Sequence, residues 1–228
     1  MRFVFRFLAV VACLALLLSV LLVLPLRWLA PPTTAFMLQD ESGRVPVLYE
    51  WTDWPLLGTS AAISVVAAED QKFAEHFGFD LQSIQDSVRE YGEGESLRGA
   101  STITQQVAKN LYLWPGRSFA RKGLEAWFAV LIEAFWTKQR ILEVYLNIAE
   151  FGPGLYGIPA ASRAYFGKTP ATLSQDEAAL LAAVLPNPRV LDASRPSPYV
   201  RERQAWIAEH MERMQRESWL TRISRKGS

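Results

Sequence analysis

The sequence predicts a mainly α-helical protein that begins with one membrane-spanning helix. Three observations lead to this fold class. Apolar residues recur at helical spacing through most of the chain after residue 60, while the sustained period-2 alternation typical of strands is nearly absent. Residues 7–26 form an uncharged apolar run. The length of 228 residues suits one globular domain with an appendage.

The apolar run is long enough to cross a membrane, since about 20 apolar residues in a helix span the hydrocarbon core. A cleaved signal peptide is the alternative, but its apolar region is usually about 7–15 residues long and precedes small residues at a cleavage site. Here PLRWLAPP follows the run. We therefore expect an uncleaved anchor over residues 1–27. Arg2 and Arg6 place the N-terminus in the cytoplasm, although Arg27 weakens this charge bias.

The elements after the anchor follow from turn residues, caps and periodicity. A linker segment over 28–58 is expected to contain at most a short extended stretch, around VPVLYEW. Ser60 is the expected N-cap of the first helix. Thr102 and Gln105 have capping-box spacing at the start of the second. Further helices are predicted at about 120–137, 138–150, 158–166, 174–184 and 198–216, with FGPGLYG at 151–157 as a loop.

Composition excludes several classes of function. The formal net charge of +1 argues against a nucleic-acid binder. The single cysteine, Cys13, excludes an intramolecular disulfide and a metal site built from cysteines. Two histidines are too few for a histidine-rich metal cluster. The sequence therefore requires no cofactor.

The segment GASTITQQVAKN, residues 99–110, is unusually polar for a helix. Three apolar residues at i, i+4 and i+8 predict one face that packs on the core: Ile103, Val107 and Leu111. A polar stripe of Thr102, Gln106 and Lys109 lies on a different face. Free N–H groups at the helix start favour a bound anion. A solvated helix face with a good cap is the alternative, and spacing alone favours it.

Two carboxylates are candidates for catalysis. Glu69 follows the apolar run AAISVVAA, where desolvation can raise a carboxyl pKa toward the range of a general base; a helix that runs out into solvent is the alternative. Glu125 lies among apolar residues on a helix whose start carries three cations: Arg117, Arg121 and Lys122. Cations are disfavoured at helix starts, so this cluster indicates an external anion. Simple pairing of Glu125 with Arg121 or Lys122 is the alternative.

Five segments resemble, in order and spacing, the motif blocks of the family 51 peptidoglycan glycosyltransferases. They are EDQKFAEHFG, GASTITQQVAKN, RKGLEAWFAVLIE, KQRILEVYLNIAEFGPGLYG and AASRAYFGK, which together cover residues 69–168. Five blocks in order are highly specific. The chain leaves no room after them for a penicillin-binding transpeptidase domain, so it resembles the monofunctional biosynthetic peptidoglycan transglycosylases of Gram-negative bacteria.

The resemblance implies an activity and a set of site residues. Members of the family polymerise lipid II into β-1,4 glycan strands with inversion and release undecaprenyl diphosphate. The matching positions imply Glu69 as general base and Glu125 as a second catalytic carboxylate whose role is open. The implied substrate-binding residues are Ser101, Thr102, Gln105, Gln106, Lys109, Asn110, Arg117 and Lys122. Mg²⁺ or Mn²⁺ near the diphosphate would have to share ligands with the substrate.

The family fold implies a lysozyme-like, mainly helical domain over residues 59–217 and a C-terminal tail over 218–228. A smaller jaw at about 77–119 would contact the membrane, and the stretch 90–96 would move over the groove. Four apolar residues of the jaw are expected at the membrane interface, with core packing as the alternative for some of the aromatic ones: Leu111, Leu113, Trp114 and Phe119.

The implied location is the bacterial inner membrane, crossed once, with the catalytic domain in the periplasm. The implied partners are lipid II, the growing lipid-linked glycan chain and the membrane, with other cell-wall synthesis proteins as further candidates and no nucleic acid. Two other functions stay open: a lysozyme-like lytic enzyme that cleaves glycan, and an inactive membrane-anchored scaffold.

Overall fold

The computed structural model describes residues 2–43, 46–92, 101–116, 118–216, 219 and 223, and these residues are mainly helical. In chain order, the α-helices are α1 Arg2–Val23, α2 Ala35–Leu38, α3 Trp54–Leu57, α4 Thr59–Glu69, α5 Leu81–Gly92, α6 Ile103–Tyr112, α7 Phe119–Phe135, α8 Lys138–Ile148, α9 Ile158–Phe166, α10 Gln175–Val184 and α11 Pro198–Arg216. The strands are β1 Leu48–Tyr49, β2 Glu150–Gly152 and β3 Leu155–Tyr156. The predicted bounds of α9 and α11 are confirmed.

The N-terminal helix is long and apolar enough to cross a membrane, because an 18-residue window within Arg2–Arg27 has a mean hydropathy of 3.2. Its C-terminal end is joined to the domain by hydrogen bonds. The Nε1 of Trp136 donates to the carbonyl of Val23 at 3.0 Å. The guanidinium of Arg140 donates to the carbonyl of Leu26 through both Nε and Nη2. The helix is therefore held against the domain at its base.

A small sheet of order β1–β3–β2 connects the linker segment to the domain. Leu48 lies opposite Leu155 in the parallel β1–β3 pair, while β2 and β3 pair antiparallel. The extended stretch expected around VPVLYEW is thus confirmed, whereas the loop expected over 151–157 contains strand residues. After β3 the chain passes so close to α8 that a Cβ on Gly157, whose φ is +85°, would lie 2.4 Å from the carbonyl oxygen of Asn147.

The core forms where alanine-rich and aliphatic helices pack closely. Helix α10 packs against α11 and α4, and α6 packs against α7 and α8. Residues 61–67 of α4 and 178–184 of α10 are all buried, and the small side chains among them let the two helices approach. Ile103 and Val107 are fully buried and Leu111 is nearly so, which confirms the apolar stripe predicted for α6.

Two helix starts differ from the prediction. Ser60 is not the cap of α4, because the helix begins at Thr59 and Gly58 occupies the cap position with a φ of +81°. A sharp turn out of α3 there places Gly58 against the backbone of Ala171. Helix α5 is additional to the predicted elements; the carboxylate of Asp80 accepts hydrogen bonds from the first N–H groups of this helix.

The jaw residues expected at the membrane interface divide into two pairs. Leu111 and Leu113 are 7% and 2% exposed, so their expected position at the interface is wrong. They pack inward because α6 turns its apolar stripe to the core. Trp114 and Phe119 are 46% and 99% exposed. Within the stretch 90–96, residues 93–96 lie outside the described residues.

Candidate active site

Glu69 is the last residue of α4 and lines a cavity of about 220 Å³, called here the Glu69 cavity. Its Oε2 accepts a hydrogen bond from the Nε2 of Gln106 at 2.9 Å, and its Oε1 pairs with the Nη2 of Arg203 at 3.3 Å. The Glu69 side chain is 14% exposed. The cavity is lined by Ala67, Ala68, Glu69, Asp70, Gln71, Lys72, Asp80, Ser83, Ser101, Thr102 and Trp206.

The surroundings of Glu69 act on its pKa in opposite directions. Burial raises the pKa of Glu69 above its usual range and is the largest effect. The hydrogen bond from Gln106 and the positive charges of Arg203 and Lys109 oppose this rise, while Asp70 adds to it. A carboxylate with a raised pKa binds a proton more strongly, while the two cations favour its ionised form. These are the properties of a general base.

Tyr145 fixes the orientation of the Gln106 amide. Tyr145 lies on α8 and is almost fully buried, and its hydroxyl donates to the Oε1 of Gln106 at 2.9 Å. The amide oxygen of Gln106 is therefore occupied, and the NH₂ group is directed at Glu69. Burial raises the pKa of Tyr145 well above its ordinary value, so the phenol stays a donor.

The start of α6 is held by a capping box and by Asp70. Thr102 and Gln105 form the predicted capping box, and both are buried. Thr102 also borders the Glu69 cavity, whereas the Gln105 side chain bonds back to the Thr102 N–H. The Oδ2 of Asp70 accepts from the N–H of Ile103 at 3.0 Å, and its Oδ1 lies 2.8 Å from His76 Nε2. Asp70 therefore joins the end of α4 to the start of α6.

Lys109 lies in a second cavity of about 170 Å³, the Lys109 cavity. Gln106 and Asn110, two more of the predicted binding residues, line it too. Burial lowers the pKa of Lys109 as the largest effect, and the charges of Glu125 and Glu69 oppose this. Within the described residues, no carboxylate lies within 4.0 Å of the Lys109 ammonium. Such a partly buried cation suits an anionic ligand.

The start of α7 carries a cluster of charges around Glu125. This carboxylate is buried and pairs with Arg121 at 3.2 Å and with Lys122. The Lys122 ammonium also donates to the Oγ of Ser101 at 3.3 Å. The structure thus brings Ser101, Lys122 and Glu125 together. The ion pairs of Glu125 with Arg121 and Lys122, which were the alternative to a catalytic role, are present. Arg117 lies outside the described residues.

Three residues at the site were not among the predicted site residues: Tyr145, Arg203 and Arg189. Arg189 pairs with Glu150, which lines the Lys109 cavity, and with Asp40, at 3.0 Å in each case. Arg203 lies 134 residues after Glu69 and Tyr145 lies 39 residues after Gln106. No local motif signals such contacts, and spacing does not distinguish Arg203 from the three other arginines on helix 198–216.

The donor set does not fit a resident divalent cation. In the described ranges, no three His, Cys, Asp or Glu side chains come together as a metal site. Glu125 is flanked by two cations that would repel a metal ion.

The helical fold, the apolar N-terminal helix and the partly buried Glu69 at its cavity are those of a membrane-anchored enzyme of lysozyme-like architecture. A family model described as transglycosylase matches residues 50–212. The chain belongs to the transglycosylase family.

Curated relatives support the same family along almost the whole chain. A biosynthetic peptidoglycan transglycosylase of Pseudomonas aeruginosa is 51% identical over 213 residues, which are 91% of this chain and 92% of that protein. The proteins of the same name from Stutzerimonas stutzeri and Shewanella frigidimarina are 53% and 55% identical. They cover 90% and 82% of this chain, and the matches span 88% and 82% of their own lengths.

Proposed function

We propose that the protein polymerises lipid II into β-1,4 glycan strands with inversion and releases undecaprenyl diphosphate. The observation that carries this proposal is the link that Gln106 makes between the two cavities. Gln106 bonds to Glu69 on one side and lines the Lys109 cavity on the other. Glu69, the base for the acceptor hydroxyl, and Lys109, the cation for the leaving phosphate, therefore lie on opposite sides of the Gln106 amide.

The acceptor reacts in the Glu69 cavity. As its sugar 4-hydroxyl attacks the anomeric carbon of the donor, Glu69 takes the hydroxyl proton, and the bond to the diphosphate breaks with its electron pair leaving on the phosphate oxygen. Because a sugar hydroxyl is a poor nucleophile, transfer of its proton to a positioned carboxylate accelerates the step by about 10²–10⁴-fold. Attack opposite to the leaving group inverts the anomeric configuration.

The diphosphate lies against the cations. Lys109 and Lys122, with the hydroxyl of Ser101, stabilise the negative charge that grows on the leaving group. Glu125 holds Arg121 and Lys122 in place through its two ion pairs. Thr102, Gln105 and Asn110 shape the site around the diphosphate, and Arg117 adds a further cation. Mg²⁺ or Mn²⁺ would act only through ligands shared with the substrate.

The proposed topology follows from the anchor. Helix α1 crosses the inner membrane once, with its N-terminus in the cytoplasm and the catalytic domain, residues 59–217, in the periplasm. The hydrogen bonds between the base of α1 and the domain support a fixed orientation of the cavities relative to the membrane, from which the lipid substrate is drawn.

Incubation of the full-length protein with lipid II in detergent tests the proposal. We expect glycan polymer and released undecaprenyl diphosphate. Digestion of preformed glycan without polymer formation would instead indicate a lytic enzyme, and neither reaction would indicate a scaffold. Either result refutes the proposed function.

A further inference from the structure

Helix α11 presents a second face, distinct from the one that packs on the core. Its core face consists of Val200, Ile207, Met211 and Met214, all buried. Four other residues recur at i, i+4, i+7 and i+11 along another side of the helix: Tyr199, Arg203, Trp206 and His210. Arg203 on this face reaches Glu69, so the face begins beside the proposed base.

Trp206 lies between two adjoining cavities. It lines the Glu69 cavity, and it also lines a neighbouring cavity of about 270 Å³ with Tyr199, Glu202 and Arg203. The Trp206 side chain is 42% exposed, and Tyr199 is 54% exposed. An exposed indole at the junction of two cavities extends the space in front of Glu69 along α11.

The indole is held in place rather than left free to rotate. The ring centroids of Trp206 and His210 are 3.8 Å apart, and a His210 ring nitrogen lies 2.7 Å from the Trp206 carbonyl oxygen. The Nη2 of Arg213 contacts the same imidazole. A rigid aromatic plane loses little conformational entropy when a ligand packs on it.

We propose that Trp206 is a stacking platform for a pyranose ring of the acceptor saccharide. This inference rests on the proposed function. The C–H face of a pyranose is apolar, so packing it on an aromatic plane removes it from water and lowers the free energy of the complex. The adjoining cavity offers hydrogen-bonding groups for the ring hydroxyls: the phenol of Tyr199, the carboxylate of Glu202 and the guanidinium of Arg203. Apolar walls with a few polar groups are typical of ligand sites.

The platform determines where the acceptor hydroxyl lies. A saccharide ring on Trp206 is next to the cavity of Glu69, so its neighbouring ring is positioned for proton transfer. Arg203 lines the neighbouring cavity and pairs with Glu69, so it connects ring binding to the base. Trp206 is a positioning residue, because it binds the acceptor and takes no part in bond making.

The test is binding of a soluble N-acetylglucosamine–N-acetylmuramic acid disaccharide, which carries neither lipid nor diphosphate, to the full-length protein in detergent. Saturation-transfer NMR measures the affinity. Trp206→Leu is expected to weaken binding about tenfold, while Trp206→Phe, which keeps an aromatic plane, loses about threefold or less. Trp127→Leu is the matched control, because Trp127 is also 42% exposed but lies on α7. Tyr199→Leu, on the same face of α11, is expected to weaken disaccharide binding about threefold. It replaces Trp206→Leu in the test if that variant does not fold.

Polymerisation of lipid II separates this inference from the proposed function. We expect Trp206→Leu to raise KM about tenfold and to change kcat by less than about threefold. A wild-type protein that polymerises lipid II but binds no disaccharide, or a folded Trp206→Leu variant with unchanged affinity and KM, overturns the platform and leaves the proposed function intact. Equal weakening by Trp127→Leu also overturns it. A wild-type protein that does not polymerise lipid II refutes the proposed function itself.

Discussion

Replacement of Arg203 by glutamine is expected to move the acid limb of the pH–rate profile to higher pH. The guanidinium lies 3.3 Å from Glu69, and the two side chains are only 23% and 14% exposed. At that distance and an effective dielectric constant of about 20, the Coulomb attraction is about 5 kcal/mol before desolvation is subtracted. A neighbouring cation lowers a carboxyl pKa by about one to three units in such settings.

The direction follows from the protonation state that catalysis needs. A base works only when ionised, so the rate rises with pH through the pKa of Glu69. Burial already raises this pKa and Arg203 opposes the rise. Without Arg203 the pKa rises further, so we expect the acid limb of kcat/KM to shift upward by about one pH unit. At acid pH the kcat/KM of Arg203→Gln should be about tenfold below that of the wild type. At alkaline pH it should be within about threefold of the wild-type value.

The assay is lipid II polymerisation from pH 5 to 9 with the full-length protein, after circular dichroism confirms folding. Arg201→Gln is the control, because Arg201 is on the same helix but bonds to Gln204 in solvent. Coincident acid limbs for the wild-type protein and Arg203→Gln would refute the reasoning. So would a loss of activity that is the same at every pH, because that result indicates a structural role.

Two further predictions concern Lys109 and Gly157. Lys109→Met removes a partly buried cation that has no carboxylate partner in the described part of the chain, so it should raise the melting temperature by about 2–4 °C and lower kcat/KM for lipid II at least tenfold. Lys168→Met is the control, because it loses only a surface pair with Glu177 and should change activity little. A lower melting temperature for Lys109→Met would contradict the reasoning. Gly157→Ala should lower the free energy of unfolding by about 3 kcal/mol or more. The new methyl group would overlap the backbone of Asn147, and the φ of Gly157 is positive. Thermal unfolding of the variant that matches the wild type would contradict this prediction.

Local patterns in the sequence predict the helices well where caps and periodicity act within a few residues. The capping box of Thr102 and Gln105 is confirmed, and so is the apolar stripe that begins at Ile103. The start of α4 was predicted wrongly, because the turn at Gly58 depends on contact with Ala171, more than 100 residues away. A cap that tertiary contact imposes has no local signature.

The same distinction applies to the site. Glu69, Gln106 and Lys109 were predicted from motifs, and the structure places them around the two cavities. Arg203 and Tyr145 were not predicted, since each contacts the site only after distant helices pack together. Their roles depend on geometry that spacing along the chain cannot express.

The most direct test of the account is the polymerisation rate of Glu69→Gln with lipid II. Glutamine keeps the size of the side chain and an oxygen for Arg203 but cannot accept the proton. Glu75→Gln is the control, since Glu75 is exposed and six residues further along the chain. We expect Glu69→Gln to fold, to bind lipid II as the wild type does and to polymerise it about 10²–10⁴-fold more slowly. Undiminished polymerisation by a folded Glu69→Gln variant would contradict the assignment of Glu69 as the general base.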